Sequence, residues 1–298
     1  MAIILGIETS CDETSASICI DGKVINNEIA TQAIHEEYGG VVPELASREH
    51  QKNIVPIVDF VIKNAGIDKK DIDAVAYTRG PGLLGALLVG STFAKSFASS
   101  LGISLIPVHH MKAHVMAHFI DDPKPSFPFI CLTVSGGHTQ LLRVDSPTEM
   151  NILGQTRDDA VGEAFDKSAK LLGLPYPGGP MIDRLSLDGN SQKFQFSKTE
   201  MPGLDYSFSG IKTSIRYFLQ KELNKNPHFI EENLNDLAAS IQYTLIEMLL
   251  EKLKIAVKNE GIDQVAIAGG VSANSGLRLA LKALADEMDW KLFIPDFQ

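Results

Sequence analysis

The chain has 298 residues, of which 44% are hydrophobic and 21% charged, and it carries a formal net charge of −10. That length allows one large or two medium domains, and the acidic balance speaks against nonspecific nucleic-acid binding while leaving room for a local basic patch. Cys11, Cys19 and Cys131 are odd in number, and Cys19 and Cys131 lie on apolar runs, which argues against a disulfide framework and for a reducing, cytoplasmic setting.

Residues 2–7 form an apolar strand that meets Glu8 with no basic segment before it, so a signal peptide is not expected. The polar turn Glu8 to Thr14 leads to a second strand at Ala16–Ile20, and Asp21-Gly22 opens a third near Val24–Ile29, giving an antiparallel meander. Such a turn suits a phosphate or a phosphate-bound cation, though taken alone it reads as an ordinary polar hairpin. Helical periodicity runs from Ser47 to Ala65, and Asp73–Tyr77 reads as a strand. Thr78-Arg79-Gly80-Pro81-Gly82 then feeds a helix from Leu83 to Leu101, a place where free backbone N–H groups can hold an anion. This apolar run is interrupted by Gly85, Gly90, Lys95 and serines, so a buried helix is expected and no membrane partner. The order of elements up to Val108 indicates a layered α/β domain, 1–108, with a second lobe over 109–298.

Ser104–Val108 reads as a short buried strand running into His109-His110-Met111-Lys112-Ala113-His114. In a helix His110 and His114 share one face, where two imidazoles can reach a single divalent ion. Zinc proteases use this spacing, but Met111 stands where they carry the glutamate base. A plain pair of core or surface histidines fits the spacing as well. His118 lies about 12 Å along the axis from His110, too far to share an ion with it.

After the proline-rich crossing Asp122–Pro128, the opening pattern repeats. Phe129–Val134 is a strand, Ser135-Gly136-Gly137-His138 a tight turn and Thr139–Val144 the return strand, so the chain reads as two related halves. Asp158 to Lys167 reads as helical with Asp159, Glu163 and Asp166 on one face, either solvated or turned to a ribose or cation. Tyr176-Pro177-Gly178-Gly179-Pro180 is expected to be a fixed turn. Met201–Ile211 is expected as a loop with exposed aromatics leading to Lys212, Arg216, Lys221 and Lys225, which is either a nucleic-acid contact or a solvated helix. A long helix over Leu234–Val257 precedes the buried strand Gln264–Ala268. The turn Gly269-Gly270-Val271-Ser272-Ala273-Asn274 then enters a helix over Ser275–Ala285 and fits a base or phosphate.

With these turns placed, the chain closely resembles the tRNA threonylcarbamoyladenosine transferases, once misnamed O-sialoglycoprotein endopeptidases. The matching residues are Gly6 to Thr14, His109 to His114, Val134 to Gln140, Asp159 to Lys167, Tyr176 to Pro180 and Gly269 to Asn274. The bacterial form is the nearer, because His138 stands where archaeal members carry Asn. The resemblance implies an α/β fold of the actin/Hsp70/sugar-kinase type, two ribonuclease-H-like lobes with a nucleotide cleft between. It implies transfer of a threonylcarbamoyl group from threonylcarbamoyl-adenylate to N6 of the adenosine just 3′ of the anticodon in tRNAs reading ANN codons. By the same match His110 and His114 bind an iron or zinc ion, and Thr133, Val134, Ser135, Gly136 and Gly137 cradle the phosphate side of the adenylate. Asp166, Gly179, Asp183 and Asn274 hold ribose and base, and Asp12, beside Glu13, is the candidate base for the attacking amine. Partners implied are tRNA, an inactive paralogous subunit and a small P-loop ATPase.

The family closes its metal site with an Asp in an Asp-Asn-Ala stretch after a strand equivalent to Leu292–Pro295. The sequence stops at Gln298, and Asp296 precedes that ligand in register without replacing it. The expectation is a C-terminally shortened chain with weak or absent metal binding. Rival readings are an actin-like ATPase or small-molecule kinase, which would not need the histidine pair, and a catalytically silent partner subunit of the same fold. A metalloprotease is a third rival, and it lacks its glutamate.

Overall fold

The computed structural model describes residues 1–295 and divides into two compact units, Met1–Ala113 and a second beginning at His114. The first unit opens with the antiparallel meander β1 (Ile3–Glu8), β2 (Glu13–Ile20) and β3 (Lys23–Thr31). Asp21 (φ 48°) and Gly22 (φ 80°) form the turn between the last two, the left-handed pair that a tight hairpin needs. Helix α1 (Pro43–Asn64) starts earlier than its apolar periodicity suggests, because Pro43 is tolerated in a first helical turn. Then follow β4 (Ala74–Gly80), α2 (Leu84–Leu101) and β5 (Ser104–His109). The sheet order is β3-β2-β1-β4-β5, with β4 parallel to both its neighbours.

The core of this unit sets Ile3, Leu5 and Ile7 of β1 against Ile54, Ile57, Val58 and Val61 of α1 and Ala94 and Ala98 of α2. Helix α2 is not the buried helix expected. Only Ala86, Gly90, Ala94 and Ala98 are buried, a stripe of small residues at every fourth position, while Leu84 and Leu88 are exposed. By length and mean hydropathy (1.2) it could cross a membrane. Here, however, that stripe packs against the sheet. Strand β5 also differs from expectation. It is an edge strand, largely open to solvent, since only β4 pairs with it.

Helix α3 (His110–Met116) leads into the second unit. There β6 (Phe129–Val134), β7 (Thr139–Val144) and β8 (Met150–Gln155) form another antiparallel meander. Helices α4 (Val161–Leu171), α5 (Gly178–Ser186), α6 (Ser209–Leu223), α7 (Phe229–Glu232) and α8 (Leu234–Glu260) follow. Strand β9 (Gln264–Ala268), α9 (Ser275–Met288) and β10 (Lys291–Phe293) complete it. Its order, β8-β7-β6-β9-β10, repeats that of the first unit strand for strand. The expected duplication is therefore real, and the fold is of the expected actin/Hsp70/sugar-kinase class.

Strand β6 is buried along its whole length because both faces are covered. Ile130, Leu132 and Val134 face a core built with α4, α6 and α8, whereas Phe129 and Cys131 face a smaller cluster with Val115 and Ala266. Three local expectations fail in this unit. Asp159 precedes α4 instead of sharing its face with Glu163 and Asp166. Gly178, Gly179 and Pro180 open α5, whose first turn needs no N–H from the proline. Tyr206 and Phe208 are 2% and 0% exposed, since this loop is pulled into the core instead of displaying its rings.

Candidate active site

In the first unit, β1, β4 and β5 deliver polar groups to one end of the sheet. Glu8 ends β1, and its carboxylate accepts from the Ser10 backbone N–H and from Thr78 Oγ1 (2.5 Å) on β4. His110, just beyond β5, brings Nδ1 within 3.2 Å of Glu8 Oε2 and 3.3 Å of Ser10 Oγ. Burial pushes the Glu8 carboxyl up, but the hydrogen bonds from His110, Ser10 and Thr78 outweigh it and hold the group down at about 2. An ionised Glu8 accepts the Nδ1 proton, and in a neutral ring that leaves the lone pair on Nε2. This is how carboxylates orient histidines that bind metals. No spacing rule could have found Glu8 as the partner of His110, since 102 residues separate them.

The loop between β1 and β2 is fastened from two sides. His50 of α1 is wholly buried and bridges Thr14 Oγ1 (2.8 Å) and the Cys11 carbonyl (3.0 Å). On the other side, Leu83 N–H, just before α2, donates to the Ser10 carbonyl, and the Ala86 carbonyl in α2 accepts from Thr9 Oγ1. A Cβ at Gly82 would lie 2.5 Å from the Ser10 oxygen, so glycine is needed there for the approach of this loop. The turn before α2, a candidate anion site by sequence, thus spends the Leu83 N–H on protein. Asp12 lies in the loop, its carbonyl accepting from Gln32 N–H. Around it, burial pushes the Cys11 thiol up to about 12, helped by Asp12, Glu13 and Glu8. Burial, Asp12 and Glu8 likewise raise the Glu13 carboxyl.

In the second unit, the carboxyl ends of the parallel neighbours β6 and β9 lie side by side, with Thr133 opposite Ala268. Two glycine turns leave from there, the arrangement at which open α/β sheets bind ligands. After β6, Ser135 N–H donates to the His138 carbonyl (2.8 Å) and His138 N–H donates back to Ser135 Oγ (3.0 Å). The serine hydroxyl therefore shapes the turn. The Gly136 and Gly137 N–H groups have no hydrogen-bond partner among the described residues, and a Cβ on either would meet nothing within 4 Å. Backbone N–H groups facing open space suit an anion. After β9, Gly269 has φ +88°, and a Cβ there would lie 2.4 Å from the Val134 oxygen, so only glycine lets the two turns close together. Thr133 and Val134, fully buried, anchor the first turn from below.

The remaining expected site residues converge on the same end, but through helix starts. Asp166 Oδ1 accepts from Gly178 N–H (2.8 Å) and Gly179 N–H (3.1 Å), capping α5; burial raises its carboxyl, these bonds oppose the rise and Glu163 adds to it. Asp183 accepts from Ser275 N–H, Ser275 Oγ and Gly276 N–H, capping α9. Asn274 Oδ1 accepts from Leu277 N–H, and its Nδ2 donates to Gln242 Oε1 (2.6 Å). Asp158 does the same service for α6 through Phe208 N–H and Ser207 Oγ. Acids read from sequence as ligand contacts or solvated faces are thus also long-range caps.

For a metal, α3 carries His110 and His114 one turn apart. The division between units falls within this helix, so His110 belongs to the first and His114 to the second. Among the described residues no group of three or more His, Cys, Asp or Glu gathers to hold an ion. Asp296 lies outside the described residues.

Comparison with known proteins bears on the family and the fold. A family profile described as tRNA N6-adenosine threonylcarbamoyltransferase matches residues 23–298. Relatives carrying that name include one from Christiangramia forsetii, 57% identical over 99% of this chain and 88% of its own length. Another, from Cytophaga hutchinsonii, is 58% identical over 99% of this chain and 86% of its own. Among solved structures, full-length HypF in a phosphate- and nucleotide-bound form has a TM-score of 0.64 at 13% identity, covering 98% of this chain and 52% of that one. Component A of (R)-2-hydroxyglutaryl-CoA dehydratase from Acidaminococcus fermentans has a TM-score of 0.55 at 16% identity, covering 98% and 91%. At such identities the two structures show the fold alone. The sequence relatives show more: this chain belongs to the tRNA N6-adenosine threonylcarbamoyltransferase family.

Proposed function

We propose that this chain is an acyltransferase that moves a threonylcarbamoyl group to N6 of an adenosine in tRNA. Threonylcarbamoyl-adenylate is the donor, and the acceptor is the adenosine 3′ of the anticodon in tRNAs reading ANN codons. The observation that carries this reading is the family match over residues 23–298, at 57% identity to a relative of that name. The paired glycine turns support it, because an adenylate presents the phosphate and flat base that such turns accommodate.

In this reading the Gly136 and Gly137 N–H groups take the phosphate, on a turn braced by Thr133, Val134 and Ser135. Asp166 fixes the start of α5 and with it the Gly179 backbone against the ribose. Asp183 and Asn274 fix the start of α9 and hold the base side. The N6 nitrogen forms a bond to the carbamoyl carbon, the bond from that carbon to the phosphate oxygen breaks, and AMP leaves. The proton lost from N6 passes to Asp12. An exocyclic amine is a weak nucleophile, so the adenylate leaving group and the orientation of two bound partners supply much of the acceleration.

His110 and His114 fit one iron or zinc ion as a pair of imidazole donors one helical turn apart, with Glu8 orienting the first. Such an ion would supply positive charge beside the developing oxyanion. An inactive paralogous subunit and a small P-loop ATPase are the proposed partners, and the cytoplasm the proposed setting.

The test is mass analysis of tRNA nucleosides after incubation with threonylcarbamoyl-adenylate and the partner proteins, with wild-type chain and His110→Ala. Wild type should form threonylcarbamoyladenosine and the variant should not. Equal product from both would sink the metal role, and no product from wild type would sink the transfer itself.

A further inference from the structure

Helix α6 buries Ile211, Ile215 and Leu219, spaced by four, in the core of the second unit. Helical geometry then turns Lys212, Arg216, Tyr217 and Lys221 to the flanks and the far side. Arg216 and Lys221 are exposed, and Tyr217 is 68% exposed. No hydrogen bond or ion pair ties Lys212, Arg216 or Lys221 among the described residues. Elsewhere in this unit Arg143, Arg157, Lys167, Lys193 and Lys198 pair with acids, and Lys170, Lys254, Lys258 and Lys282 likewise have no ion pair among the described residues; α6 differs in gathering three such cations around one exposed tyrosine. From Ser209 to Lys225 there are four cations and one acid, Glu222, and that acid is paired with Lys225. In a chain of net charge −10, three cations spread around the open side of this helix carry no ion pair among the described residues.

We propose that the open side of α6, with Arg216 and Tyr217 near its middle and Lys212 and Lys221 at its two edges, grips the phosphate backbone of tRNA, with Tyr217 as a stacking platform for an unpaired base. The inference rests on the reading of the chain as a tRNA-modifying enzyme and adds the surface that reading lacks. Lys212 to Lys221 spans about 13 Å of helix axis, enough to meet more than one phosphate. A free cation, Arg216, and an exposed ring, Tyr217, on the same open side of a helix are the combination that single-stranded nucleic acid favours. An acidic protein would meet the same charges, but stable protein interfaces need an apolar centre, and Tyr217 is the only large hydrophobic residue of α6 that is exposed.

The experiment measures tRNA affinity of the full chain across a salt series for wild type, K212A/R216A/K221A, Y217A and a control, K63A/K69A/K70A, in the first unit. Each lost phosphate contact removes roughly 0.7–0.9 from the slope of log affinity against log salt. The α6 triple variant should therefore lose about 2–3 of that slope, and about tenfold or more of its affinity at physiological salt. Y217A should bind about 5-fold or more weakly with the slope kept, and the control should match wild type. In the complete modification assay the triple variant should raise KM for tRNA and leave KM for the adenylate unchanged. An unchanged slope and KM in a triple variant that is folded by circular dichroism overturns the proposal, as does loss of an acidic protein partner with tRNA binding intact. If wild type modifies tRNA and the variant does so equally, only the α6 surface falls; if wild type makes no modified nucleoside, the functional reading falls first.

Discussion

Removing the His50 side chain will loosen the loop that carries Asp12. A carbonyl can only accept, so the contact to Cys11 O places the proton on Nε2, and Nδ1 then accepts from the Thr14 hydroxyl. His50 and Thr14 are both wholly buried. In His50→Ala the Thr14 hydroxyl and the Cys11 carbonyl both lose their partner, at about 1–3 kcal/mol each. The missing ring also leaves a void, and comparable ring deletions cost about 3–5 kcal/mol. Water entering the polar void offsets part of this, which puts the expected loss at about 3–5 kcal/mol in all. His50→Gln should lose roughly half as much, because an amide can restore one of the two bonds. Urea denaturation followed by far-UV circular dichroism measures the loss, since the single tryptophan, Trp290, lies in the second unit. Hydrogen exchange over residues 9–15 locates it. A loss below about 1 kcal/mol with unchanged exchange at Cys11–Thr14 would refute the reasoning.

Burial holds His50 below its ordinary 6.5, against the pull of the Cys11 carbonyl and nearby acids, so the folded chain prefers it neutral. Its contribution is full above about pH 6.5 and declines as pH falls below that value; the wild-type minus His50→Gln difference in urea midpoint between pH 7.5 and 5.5 reads it. Glu8, held at about 2 against an ordinary 4.5, contributes stability that is full above 4.5 and is lost as pH falls through about 2. His110→Ala should move that titration upward, visible in the carboxyl carbon resonance of Glu8. Gly269→Ala should cost about 2–4 kcal/mol, from backbone strain plus the clash with Val134 O, seen as a lower urea midpoint in Trp290 fluorescence. Asp183→Ala leaves the Ser275 and Gly276 N–H groups at the start of α9 without their acceptor, Asn274 still capping Leu277, and should cost about 1–2 kcal/mol, with faster amide exchange at Ser275 and Gly276 as the local sign.

Much of this protein was determined by the sequence alone, because the features concerned are local. Alternating and continuous apolar runs marked β1, β6 and β9, glycine turns marked the strand ends, and one repeated strand–turn–strand pattern revealed the duplicated lobe. The ordered motifs from Gly6 to Asn274 carried the family. Local pattern fails where the partner is distant. Strand β8 has little apolar contrast of its own and exists because β7 pairs with it. Tyr206 and Phe208 looked like loop aromatics until Asp158, about 50 residues earlier, held the backbone that drew them inward. Whether Asp166 and Asp183 faced solvent, a ligand or a helix start was equally undecidable, since a carboxylate serves all three and only the helix brought to it chooses. The histidine pair shows both sides. Its i,i+4 spacing is written in the chain, but the carboxylate that orients His110 arrives from β1, 102 residues away, and only the pairing of β4 between β1 and β5 could bring it there.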